Sequence, residues 1–155
     1  MRRRDLFLLA APVGFAASPV RAGAPSKKAI YRGGTLDRIE PPQTGVVQTT
    51  GEETFVFDWG KGRLEAPYRG INSLEYGQKA GRRLGLAITV SPLFLLSKKR
   101  RHYLTIGYLD EQGGQQAIVL ELGKKIVRST LAGLEARTGL RVEYESEEAR
   151  RAGRR

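Results

Sequence analysis

Two runs of alternating residues, HYLTIGYL at 102–109 and QQAIVLEL at 115–122, constrain this chain more than any other feature. Leu104, Ile106 and Tyr108 recur at every second position of the first, and Ile118, Leu120 and Leu122 at every second position of the other. That is the period of a strand, whose side chains point alternately to opposite faces. The linking DEQGG puts Gly113 and Gly114 in a tight reversal, where residues free to take positive φ are needed. The result is an antiparallel hairpin with one continuous apolar face. A two-stranded hairpin does not stand alone in water, so this one belongs at the centre of a sheet and needs a cover.

The preceding segment supplies further strands. IYRGGTL reads as a short strand with a Gly-Gly bend, and DRIEPPQTG as a connection, because Pro41 and Pro42 cannot serve a central ladder. Phe55, Phe57 and Trp59 alternate with Thr54, Val56 and Asp58; Leu64, Ala66 and Tyr68 alternate with Arg63, Glu65 and Pro67. Joined through Gly60-Lys61-Gly62, these runs form a second hairpin. INSLEYG adds a strand with Leu74 and Tyr76 on one face. Trp59, Tyr68 and Tyr76 alternate with polar residues and read as core, not as an aromatic binding floor.

After Leu122 the period changes. Val127, Leu131 and Leu134 lie on one helical stripe, with Thr130 and Thr138 at its edges and Gly139 placed to end the helix. LRVEY suggests a last short strand, and residues 145–155 read as a solvated charged tail. At 155 residues there is room for one domain with a real core, spanning 30–144.

The first 22 residues read as an address. Arg2, Arg3 and Arg4 precede an apolar stretch from Leu6 to Ala17, and Val20 and Ala22 suit a cleavage site. RRDLFL is similar to a twin-arginine export signal, with the general secretory route as the alternative. Residues 23–29 then form a flexible lead-in. The expected location is the periplasm or the extracellular space, at the cell envelope. The chain carries a formal charge of +11. Removing 1–22 takes away four arginines and one aspartate and leaves it basic, which favours anionic partners without choosing among them.

Strands followed by one closing helix, with Gly45 and Thr50, Glu53 and Phe57, a glycine turn, then Ala66-Pro67-Tyr68 and Ile71, resemble bacterial pleckstrin-homology-like and GRAM-like domains over Gly45 to Thr138. The resemblance implies a mainly β fold. Its form would be a bent antiparallel sheet or barrel of about seven strands, its open end capped by a C-terminal amphipathic helix. Phosphoinositide binding is not implied, because GVVQTTGEETFVF lacks the basic residues of lipid-binding members.

One stretch stays open to two readings. Leu84 to Leu96 is apolar but too short for a spanning helix and is interrupted by Ser91-Pro92. It is expected to be a core strand with charged ends. The alternative is a peripheral site in which Phe94 and its leucine neighbours enter a membrane interface beside Lys98, Lys99, Arg100 and Arg101. With Arg82 and Arg83, these residues form the candidate surface for an anionic lipid, an envelope polymer or a protein. Nucleic acid is disfavoured, since no recognition motif accompanies the basic run.

Catalytic chemistry finds little footing. There is no cysteine and one histidine, His102, which excludes thiolate sites and multi-histidine metal centres. No GxSxG elbow or phosphate-cradling loop occurs. Glu52-Glu53, Asp110-Glu111 and Glu147-Glu148 are adjacent pairs, not carboxylates converging from different strands. His102 reads as a strand-end residue without a task. No catalytic residue, metal or cofactor is expected, and the mature chain should lack a transmembrane helix. The expected function is a non-enzymatic binding or scaffold module; a small exported enzyme of unassigned chemistry is the competing class.

Overall fold

The computed structural model describes residues 28–77, 89–90 and 101–154. The strands are β1 (Lys28–Gly34), β2 (Gln43–Gln48), β3 (Thr54–Asp58), β4 (Arg63–Pro67), β5 (Ile71–Gly77), β6 (Thr89–Val90), β7 (His102–Leu109), β8 (Gln115–Leu122) and β9 (Glu143–Tyr144). Helix α1 spans Val127–Thr138 and α2 spans Glu147–Arg154.

The fold is mainly β. One sheet runs in the order β4-β3-β2-β1-β8-β7-β5-β9, antiparallel except for the β5–β9 step, and β6 pairs with β1 off this path. The β7–β8 hairpin is central, as its pattern demands, with Leu104 opposite Leu120 and Ile106 opposite Ile118. A four-residue turn joins β3 to β4: the Trp59 N–H donates to the Gly62 carbonyl at 3.1 Å, and Gly60 takes φ +80.

The sheet is not closed into a barrel, which corrects that form of the expectation. Among the described residues no ladder joins β4 to β5 or β9. Pro67 ends β4 without an N–H to donate. A 3-10 turn at Tyr68–Gly70 then carries the chain to β5, with the Tyr68 N–H given to the Glu53 carbonyl at 2.9 Å.

Inner-face side chains from both halves of the sheet form one core: Phe55, Phe57 and Leu64 on one side, Leu74, Leu104, Ile106, Ile118 and Leu120 on the other. Each such burial stabilises by about 1.5–3 kcal/mol. Tyr68 and Tyr76 are buried, and Trp59 stacks on Phe57 at 6.0 Å, so the aromatic residues serve the core. Helix α1 covers this face with Val127, Thr130, Leu131 and Leu134. Gly139 ends it in the left-handed conformation, its N–H bonded to the Glu135 carbonyl at 2.9 Å.

The expected charged tail is instead helix α2. Ser146 caps it, its Oγ accepting the Ala149 N–H at 3.1 Å. Glu147 and Glu148 occupy the first turn and Arg151 and Arg154 the last, complementing the helix dipole. Ala149 and Gly153 face inward and are buried. A Cβ at Gly153 would stand 2.9 Å from Tyr144 and 3.2 Å from both Leu131 and Tyr76, so only glycine lets α2 approach this closely. Among the described residues no helix is long and apolar enough to cross a membrane.

Candidate functional site

Arg82, Arg83, Phe94, Lys98, Lys99 and Arg100 lie outside the described residues, as does the apolar run except Thr89–Val90, which pairs with Gly33 and Gly34 of β1. The expected address at 1–22 also lies outside them. Arg101 is described, and it is engaged. Its Nη1 donates to both oxygens of the Glu121 carboxylate, at 2.8 and 2.9 Å. Arg32 on β1 grips the same carboxylate, Nε at 2.7 Å and Nη2 at 2.6 Å from Oε2. Strand register explains the convergence: Glu121 pairs with Ile30 of β1 and Tyr103 of β7, and so sits between β1, which carries Arg32, and β7, which Arg101 immediately precedes. The Glu121 side chain is only 15% exposed. Two partly buried guanidiniums on one carboxylate chiefly stabilise the sheet.

His102 has a partner too. The Tyr76 hydroxyl lies 2.5 Å from its Nδ1, and the rings stack at 6.1 Å. Burial first, then the Lys124 ammonium, holds the imidazole below its usual pKa against the opposing Glu121 carboxylate. In the neutral ring Nδ1 can accept a hydrogen bond from the Tyr76 hydroxyl. Burial pushes the Tyr76 phenol up to about 12, far from a value useful for proton transfer near neutrality. Among the described residues no group of three or more histidine or acidic side chains is placed to hold a metal ion.

Two clefts remain. One, of about 580 Å³, lies between β4, the 35–38 segment and the β7–β8 turn. Its most connected acid, Asp110, is consumed by the turn: Oδ1 accepts the Gly114 and Gln112 N–H groups at 2.7 and 3.0 Å, and Oδ2 accepts Gln116 Nε2 at 2.9 Å. The Gln116 bond leads in holding its carboxyl below the usual range.

The other, of about 980 Å³, lies between α1, the 139–142 connection and α2. Leu140 and Tyr144, half-buried above the core residues Leu131 and Val142, contribute its apolar surface, while Arg128, Arg141, Arg150 and Arg154 contribute positive charge. Its two acids are already occupied. Glu135 Oε1 accepts the Val142 N–H at 2.9 Å, and Glu147 pairs with Arg150 at 3.3 Å. Among the described residues Arg128, Arg141 and Arg154 have neither a hydrogen-bond nor an ion-pair partner. Sequence reasoning passed over this site because its arginines come from three elements. The readable signal was Ser146 before Glu147-Glu148, a helix start that brings Arg154 back toward α1.

Fold and cleft together define a mainly β, helix-capped domain with a basic groove at its C-terminal end. No protein-family model matches the chain, and no curated protein matches it in sequence.

Proposed function

We propose that the chain is an exported, non-enzymatic binding module of the cell envelope that recognises an anionic group in the α1–α2 cleft. The observation that carries this reading is the set of three guanidiniums, without partners among the described residues, around a partly apolar surface. Positive side chains beside a partly apolar concavity attract and retain anions better than the same charges scattered over a convex surface. The framework proposed is pleckstrin-homology-like. In its support, seven strands follow one another antiparallel from β4 to β5 and a helix covers their inner face, as the resemblance implies, with the two-residue strands β6 and β9 added outside that run. Export rests on the N-terminal sequence alone.

Calorimetric titration with citrate and with poly-glutamate tests the reading. Saturable binding should weaken about tenfold or more in the combined Arg128→Gln, Arg141→Gln, Arg154→Gln variant. Removing the same charge elsewhere, through Lys61→Gln, Arg69→Gln and Lys125→Gln, should change affinity by less than about twofold. Equal losses in both variants would reduce the effect to net charge and overturn the assignment.

A further inference from the structure

We infer that the α1–α2 cleft takes a phosphate monoester carried on an apolar group; this rests on the reading of the cleft as an anion site and names its ligand. Charge is the first argument. A single carboxylate would match one of the three guanidiniums that are unpartnered among the described residues. A phosphate monoester carries about −1.5 to −2 at neutral pH and offers three strong acceptor oxygens. Guanidinium forks suit those oxygens, two N–H groups at a time.

The positions of the arginines point the same way. Arg128 lies in the first turn of α1, Arg141 on the connection to β9 and Arg154 in the last turn of α2, so charge reaches the cleft from three separate elements. Arg128 is placed against its own helix. The first turn of α1 contains no acid, and a cation there opposes the helix dipole. Its position costs the helix stability and gives the cleft a charge.

The apolar part of the ligand follows from Leu140 and Tyr144, the half-buried apolar residues of the cleft wall. A bare ion would leave that surface wet. Each methylene that covers it should raise affinity about fourfold.

Calorimetry on the purified chain with hexyl phosphate, hexanoate and inorganic phosphate separates the two contributions. Hexyl phosphate should bind about tenfold more tightly than hexanoate, and more tightly than inorganic phosphate. The combined Arg128→Gln, Arg141→Gln, Arg154→Gln variant should lose this preference. Leu140→Ser should weaken hexyl phosphate about fourfold or more and leave inorganic phosphate unchanged.

Sedimentation with phosphatidylcholine vesicles, with and without phosphatidic acid, identifies the source. Binding only to the acidic vesicles, lost in the triple variant, assigns a lipid headgroup. Hexyl phosphate binding without vesicle binding assigns a free phosphoester, and either outcome supports the shared chemistry. Hexanoate binding as tightly as hexyl phosphate would overturn this inference, yet a citrate response that depends on the three arginines would leave the anion-site reading standing. If no anion responds to their replacement, both fall.

Discussion

Arg32 and Arg101 converge on one carboxylate, Glu121, whereas Arg128, Arg141 and Arg154 surround a cleft whose own two carboxylates are already engaged, by the Val142 N–H and by Arg150. The residue type is the same in both regions, but its availability differs. On the sheet, the guanidiniums are largely covered and bonded. At the cleft they stand on exposed turns of α1 and α2 and on the connection between them. What separates a structural arginine from a recruiting one is the acid placed opposite it by strand register or helix docking.

The most severe break in this comparison is Glu121→Gln. It removes the Glu121 charge from two partly buried guanidiniums, a change between a surface pair and a fully buried one, and should cost about 1–3 kcal/mol by urea unfolding. The same substitution should create a second phosphate-binding site on the sheet, read as a rise in calorimetric stoichiometry. If stability falls but no second site appears, unpartnered charge alone does not recruit an anion and the cleft's apolar surface is essential. Unchanged stability would show that the two arginines do not depend on Glu121.

Gly153→Leu acts on the other side. The first added carbon already meets Tyr144, Leu131 and Tyr76, so α2 must move outward. Overpacking of this kind costs about 1–3 kcal/mol; the lower part of that range is expected, because a terminal helix can yield without unfolding the sheet. Hydrogen exchange should accelerate across 147–154 and hexyl phosphate affinity should fall, with protection of β7 and β8 unchanged. Acceleration in β7 and β8 as well would mean that α2 is integral to the sheet's stability and that the two regions are not separable.

Sequence made one of these regions much easier to foresee than the other. The β7–β8 hairpin announces itself through period two and through DEQGG, where Asp110 ties down the turn's N–H groups. Helix α1 was legible because Val127, Leu131 and Leu134 carry its stripe and Gly139 its end. Helix α2 was not, because its buried face consists of Ala149 and Gly153, which weigh almost nothing in a hydrophobic pattern. Among the anticipated site residues, Arg101 stood out for the basic run around it, but its bond to Glu121 depends on register between strands. The unpartnered arginines lie thirteen residues apart along the chain and meet only when α2 folds back.

His102 lies between the two regions and supplies the smallest effect. Its ring stacks on Tyr76, which touches both the α2 position Gly153 and, edge to face at 5.8 Å, Tyr144 of the cleft; on its other side act Lys124 and Glu121. Burial and Lys124 hold its folded pKa below the ordinary value of about 6.5. The unfolded chain therefore binds the proton more readily, and stability rises with pH through this range. It should be fully present above the unfolded value and decline as acid protonates the unfolded imidazole. Unfolding free energies measured at pH 5, 6 and 7 should show this slope, and His102→Gln should flatten it, because a neutral amide takes up no proton in either state. If the slope persists unchanged in His102→Gln, another group governs the acid response and the Tyr76–His102 contact is not the titrating link between sheet and cleft.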